Sequence, residues 1–185
     1  MVIVAPYSAA HLRERIAEAM TVYETAMAYP PGTGAQRAGY AVAHTRLPGF
    51  RAVTAVDEGD RLVGFGYGYT TMAGQWWHDQ VRLALGPDLA ARWLVHGFEL
   101  CELHVLPECQ GRGIGRDILV TLVDLVDQRR VLLSTPEGPT RAWRLYTTLG
   151  FVPLARQYRF PGDVRPFAIL GAHLPLRPQA AAGQG

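Results

Sequence analysis

Val105-Leu106-Pro107-Glu108-Cys109-Gln110-Gly111-Arg112-Gly113-Ile114-Gly115 joins two apolar segments of different period, and its reading decides the fold. Upstream, Phe98 to Leu106 reads as a strand. Downstream, Ile118, Leu119, Leu122, Leu125 and Val126 form the apolar face of a helix running to about Asp127. Three glycines spaced two apart at a helix start leave several backbone N–H groups without partners, and the helix dipole adds partial positive charge there. A Cβ would hold an oxygen ligand away from those amides, while Arg112 and Arg116 bring formal charge to the same place. The stretch therefore suits a phosphate. A nucleotide-triphosphate loop requires a lysine, and the chain contains none. A dinucleotide fingerprint requires a third glycine where Arg116 stands. On the residues alone, a tight glycine turn without a ligand remains the alternative.

Working outward, strand Val131 to Thr135, helix Thr140 to Leu149 and strand Phe151 to Ala155 follow, giving a β-loop-α-β-α-β order. Phe167 to Leu174 adds a last extended segment, and the tail from Gln179 to Gly185 is expected to be disordered. Upstream, Phe50 to Val56 and Arg61 to Thr70 flank Asp57-Glu58-Gly59-Asp60, which predicts a hairpin. Its second strand alternates Val63, Phe65, Tyr67 and Tyr69 with Gly64, Gly66 and Gly68. One face is aromatic and the other nearly bare, as where a backbone or ligand comes close. After a short apolar opening, Ser8 predicts the N-cap of a helix carrying Leu12, Ile16, Met20, Tyr23 and Met27. A weaker helix spans roughly Ala35 to Arg46. Thr71 to Gly97 is the least regular stretch, with a helix expected from Asp88 to Val95.

The 185 residues, 49% hydrophobic, suit a single domain over 1–178. A formal charge of +2 leaves no excess for a nucleic-acid backbone or an anionic membrane, and no apolar run reaches the ~20 residues needed to span a bilayer. With no secretion signal at its start, the chain is expected to be cytoplasmic. Cys101 and Cys109 match neither a zinc site nor a redox pair, and no two of the six histidines are spaced as helical metal ligands, so no metal is expected.

Gln110-Gly111-Arg112-Gly113-Ile114-Gly115 resembles the Q/R-x-x-G-x-G/A pyrophosphate loop of the GNAT superfamily of acyl-CoA-dependent N-acyltransferases. Val105-Leu106-Pro107 before it and Leu145-Tyr146-x-x-Leu149-Gly150-Phe151 after it match in the same order. The resemblance is specific over about residues 98–155. It implies an α/β fold: a mixed, mostly antiparallel sheet of six or seven strands flanked by helices, splayed at the acyl-CoA site. Acetyl-CoA, or a related acyl-CoA, would lie with its pantetheine along strand 98–106. Backbone groups at Leu103, His104 and Val105 would bind its amides, and Gln110, Gly111, Arg112, Gly113, Ile114, Gly115 and Arg116 would hold the pyrophosphate. Where many members carry a cofactor-binding asparagine, this sequence reads Glu137-Gly138-Pro139-Thr140.

Acyl transfer to an amine needs a base, because an alkylammonium near pKa ~10.4 is almost wholly protonated at neutral pH. Glu99 lies where family members can carry a glutamate base, and shares strand parity with Cys101, Leu103 and Val105. Glu102 is the second choice; with His104 it points to the opposite face unless a bulge reverses the parity. Tyr146 matches the family tyrosine whose hydroxyl faces the leaving sulfur. Trp76, Trp77 and His78 fall where the family places acceptor loops, with a capping His-Asp pair beside one buried Trp as the alternative. The implied reaction is direct transfer in a ternary complex, since neither cysteine has an activating base evident in the sequence. The acceptor would be a small-molecule or peptide amine, with a homodimer left open. The rival reading is an acyl-CoA-binding sensor or interaction module that lacks turnover.

Overall fold

The computed structural model describes residues 1–177, so the tail from Gln179, expected to be disordered, lies outside the described residues. In chain order the elements are β1 (Val2–Tyr7), α1 (Ala9–Glu14), α2 (Ile16–Ala26), α3 (Thr33–His44), β2 (Arg51–Asp57), β3 (Leu62–Thr70) and α4 (Trp76–Trp93). Then come β4 (Gly97–Val105), α5 (Ile114–Val123), β5 (Arg130–Pro136), α6 (Arg141–Thr148), β6 (Val152–Tyr158) and β7 (Phe167–His173). The seven strands run β1-β2-β3-β4-β5-β7-β6 in one sheet. Pairing is antiparallel for β1–β2, β2–β3, β5–β7 and β6–β7, and parallel for β4–β5. The expected mixed, mostly antiparallel sheet flanked by helices is present.

The chain forms two compact units, each discontinuous in sequence. The first comprises Met1–Tyr69 and Leu100–Val126. Its hairpin turns on Asp57, whose carboxylate accepts the N–H groups of Gly59 and Arg61 at 3.0 Å each. Helix α5 packs against β1 and β2 through Ile118, Leu119 and Leu122, all fully buried. The glycine face of β3 is explained by this helix. A Cβ at Gly66 would lie 2.9 Å from Ile118 Cγ2, and one at Gly64 would lie 3.0 Å from the His104 carbonyl and 3.1 Å from Ile118 Cδ1. The close neighbours are helix and strand, and the glycines are the condition for packing them. The aromatic face of β3 carries Phe65 and Tyr67, both fully buried.

Ser8 caps α1 by accepting the His11 N–H at 3.1 Å, but the single expected helix is broken at Arg15. Arg15 leaves the helical region (φ −105°, ψ 19°) while its guanidinium binds Glu18 at 2.8 and 2.9 Å and the Asp60 carboxylate at 3.2 Å. Tertiary contacts at the hairpin turn override local periodicity here.

The second unit comprises Thr70–Glu99 and the chain from Asp127 onward. Its core joins Trp77, Val81, Leu85, Ala90 and Leu94 of the α4 region to Leu132, Phe160 and Ile169. Helix α4 covers most of the stretch expected to be irregular. It is two helical pieces meeting at Gly86 (φ 71°, ψ 171°) and Pro87, since proline cannot donate to the preceding turn. Strand β4 pairs with β5 through Gly97–Arg130, Phe98–Val131 and Glu99–Leu132, while β5 pairs along its whole length, Arg130 to Pro136, with β7.

Candidate functional site

In the first unit the loop after β4 forms a short 3₁₀ turn, Pro107–Cys109, and then enters α5. Gln110 ties it back to the strand by donating to the Val105 carbonyl at 2.9 Å. Gly111 (φ 77°) and Gly113 (φ 85°) both occupy the left-handed region, which a side chain rarely adopts. Gly113 is the N-cap of α5 and offers no side chain to the first-turn amides, so Ile114, Gly115 and Arg116 begin the helix without a side-chain cap. A Cβ at Gly113 would meet only Asp117 Oδ2, at 3.9 Å; backbone conformation, not crowding, fixes the residue. Arg112 and Arg116 are exposed on either side. Open amides, the positive end of a ten-residue helix and two guanidiniums make this an anion-binding cradle.

Three residues up the strand from Val105 lies a buried polar cluster. Glu102 Oε1 accepts from Arg37 Nε at 2.9 Å and Nη2 at 2.7 Å, and Oε2 lies 2.6 Å from His104 Nε2. Burial alone would raise the Glu102 carboxyl. The His104 hydrogen bond and charge, with the Arg37 guanidinium, more than offset it and hold the group below the usual carboxylate range. Arg37 lies 5.3 Å from the centre of the Tyr23 ring, and the His104 ring meets Tyr23 edge-on at 5.1 Å. Burial pushes the Tyr23 phenol up to about 12.

His44, from the last turn of α3, lies beside this group. Its Nδ1 is 3.1 Å from the Tyr67 hydroxyl and 3.7 Å from Cys101 Sγ, and Tyr69 donates its hydroxyl to the same sulfur at 3.6 Å. Burial lowers the His44 imidazole, with Arg37 acting in the same direction and Glu102 opposing both.

Two expectations are corrected by this geometry. Regular alternation places Cys101 and Glu102 on opposite faces of β4, yet Cys101 reaches His44 and Glu102 reaches Arg37, both on α3. Alternation breaks between 101 and 102, as a bulge produces, while Leu103 keeps to the side of Gly66 and Ile118. Cys101 also has a basic neighbour after all. Arg37, His44, Tyr67 and Tyr69 were not singled out from the sequence as site residues. A signal was present: Arg37 and His44 are seven apart, two turns along one helix face.

The remaining candidates lie in the second unit. Glu99 is buried, at 3% exposure, on β4 opposite Leu132 of β5. Tyr146 is buried on α6, its ring 5.5 Å from Phe151, and its carbonyl accepts the Phe151 N–H at 3.0 Å. Thr140 caps α6 by accepting the Trp143 N–H at 3.0 Å. The Glu137 carboxylate, where the family asparagine is expected, accepts the Gln157 N–H at 2.8 Å and pairs with Arg156 at 3.2 Å.

Trp77 belongs to the core, its indole N–H donating to Ser134 at 3.0 Å. Trp76 is 57% exposed and its ring lies 5.6 Å from Phe160. His78 is buried and 3.0 Å from Asp79, which also accepts the Gly74 N–H at 3.3 Å at the start of α4. Among the described residues no group of three or more His, Cys, Asp or Glu could hold a metal, and no helix is long and apolar enough to cross a membrane.

Comparison with known proteins supplies the class. Residues 17–151 match the acetyltransferase (GNAT) family, so the chain belongs to that family and is an acyltransferase. It is 42% identical over 194 residues to a GCN5-like protein acetyltransferase of Mycobacterium tuberculosis, an alignment spanning 89% of this chain and 94% of that protein. Among solved structures, yncA of Salmonella typhimurium with its cofactor acetyl-CoA shares the fold at a TM-score of 0.65. Its identity is 15%, with 99% of each chain covered. The ribosomal-protein-S18-alanine N-acetyltransferase of Escherichia coli does so at 0.63, with 16% identity and coverage of 100% of this chain and 98% of that one.

Proposed function

We propose that this cytoplasmic enzyme transfers the acetyl group of acetyl-CoA, or the acyl group of a close relative, directly to an acceptor amine within a ternary complex. The observation that carries the reading is the cradle at Gly111 to Arg116. Its open amides and flanking Arg112 and Arg116 suit a pyrophosphate, and Gln110 anchors it to the end of β4. In this reading the pantetheine runs along Leu103, His104 and Val105. The backbone there offers amides and carbonyls, although the Val105 carbonyl is already shared with Gln110.

Acetyl-CoA supplies the activated acyl group; the chain's own groups do the rest. Tyr146 donates its hydroxyl to the departing sulfur. A carboxylate removes the amine proton directly or through water, and the alternation break makes Glu102 a rival equal to Glu99. Glu102 is held ionised and in place by Arg37 and His104, which lowers its basicity while fixing its orientation. Trp76, which presents the exposed ring, is assigned to the acceptor side, while Trp77 belongs to the core and His78 is buried beside Asp79 at the start of α4. The 42% identical relative is named as a protein acetyltransferase, which supports a peptide or protein amine over a small-molecule amine as acceptor.

The cradle is tested by Gly113→Val. Acetyl-CoA at a hundredfold excess over Kd should stabilise the wild-type fold by ~2.7 kcal/mol, and the variant should lose the shift. A wild-type melting curve that acetyl-CoA leaves unmoved would overturn the reading.

A further inference from the structure

We propose that Cys101 is an acyl-accepting thiol, with His44 as its base, so that acetyl-CoA or a smaller thioester leaves an S-acyl group on the protein. The donor is the one assigned above, so the inference rests on that reading; it goes beyond it by placing a covalent site on the chain.

The geometry is that of a nucleophile with a base in reach. His44 Nδ1 lies 3.7 Å from Cys101 Sγ, and Tyr69 points a hydroxyl at the same sulfur from 3.6 Å, where it can stabilise a thiolate. When the ring proton is on Nε2, the single Nδ1 lone pair can accept from the thiol, with the Tyr67 hydroxyl 3.1 Å away as the alternative donor, and ring contacts with Tyr67 and Tyr69 hold the imidazole in place. His44 is held towards its neutral, proton-accepting form. The nearby Glu102 charge opposes a thiolate, but it is already paired with Arg37 and His104. Cys101 is half-buried, whereas Cys109 is buried and provides an internal control.

Access follows from the strand. Cys101 is four residues, ~13 Å, from Val105, where Gln110 ties down the anion cradle. A pantetheine arm, two peptide-like units ending in a sulfur, is suited to that separation.

The step balances without a further reagent. His44 Nδ1 takes the thiol proton and the sulfur lone pair bonds to the thioester carbonyl carbon. The donor C–S bond then breaks, and the departing thiolate recovers the proton from the imidazolium. One thioester replaces another, so the exchange is close to isoenergetic and the barrier decides whether it occurs.

The test is intact-protein and peptide mass spectrometry after incubation with acetyl-CoA, and in parallel with a short acyl thioester that lacks the nucleotide. One acetyl group should appear on the Cys101 peptide and be released by neutral hydroxylamine. Cys109→Ser should retain it and Cys101→Ser should lose it. His44→Gln should slow its appearance at least about tenfold. If acetyl-CoA raises the melting temperature yet neither thioester labels Cys101, the proposal is wrong and the acetyl-CoA reading stands. If acetyl-CoA does not bind while the short thioester labels Cys101 in a His44-dependent way, the reverse holds. Equal labelling in wild type and His44→Gln would remove His44 from the step and overturn the pair.

Discussion

At the scale of single residues, Tyr146 separates chemistry from packing. Tyr146→Phe keeps the ring against Phe151 and deletes the hydroxyl. If that hydroxyl acts on the leaving sulfur, kcat should fall roughly ten- to a thousandfold with acetyl-CoA affinity and stability nearly unchanged. Tyr146→Ala should instead cost ~3–5 kcal/mol in unfolding free energy through its cavity. A Phe variant with wild-type turnover would take Tyr146 out of the mechanism. Glu102 makes a prediction with a sign. Its folded pKa is depressed, so its contribution is present above the unfolded value near 4.5 and is lost as pH falls through the folded value. Glu102→Gln strands Arg37 and His104 and should be least stable relative to wild type at neutral pH. The gap should narrow on acidification below about pH 4.5 when denaturant midpoints are compared. A gap that widens in acid would show that the carboxylate is not held ionised by its partners. What the sequence showed here was both glutamates and the tyrosine. It did not show that alternation breaks after Cys101, because a one-residue bulge leaves no trace in composition or period. Nor did it show Arg37 reaching across from α3, since its partner is 65 positions away.

At the scale of elements, the glycine-rich face of β3 has a concrete role. Gly66→Ala places a Cβ 2.9 Å from Ile118 Cγ2 and 3.3 Å from the Glu102 carbonyl, and neither the branched side chain nor the strand can withdraw freely. The variant should lose about 1–3 kcal/mol by overpacking, read from chemical denaturation. Unchanged stability would mean that α5 is not seated on those glycines. Alternation of aromatics with glycine was legible as a two-faced strand, but whether backbone, ligand or helix covered the bare face depended on where α5 returned. Helix α6, with its Thr140 cap, was legible almost to the residue, whereas α5 stops at Val123, about four residues short of the expected end, so Leu125 and Val126 lie beyond it. The α4 stretch was not legible, although Trp77, Val81 and Leu85 recur at four-residue steps. Gly86-Pro87 ends the pattern there and the chain resumes helically on the far side. The break between α1 and α2 has its cause outside the helix, in the hairpin turn that Arg15 binds.

At the scale of the whole molecule, the resemblance to the family rested on the glycine loop together with Val105-Leu106-Pro107 before it and Leu145 to Phe151 after it, in a β-loop-α-β-α-β order. The seven-stranded sheet extends that order on both sides. Charge balance and composition pointed to a globular chain without excess charge for a nucleic acid or membrane but carried no information on the acceptor. The claim on which everything else depends is that this chain moves an acyl group from acetyl-CoA to an amine. It is tested most directly by incubating the protein with acetyl-CoA and a panel of amines: lysine-bearing peptides, free N-terminal peptides, polyamines, amino acids and aminoglycosides. Free thiol and acetylated product are then measured together. The account predicts thiol release that depends on the amine, matched mole for mole by N-acetylated product and strongest with a peptide amine. Saturating acetyl-CoA binding with no amine-dependent thiol release across the panel would contradict it, and would leave a binding module where an enzyme is claimed.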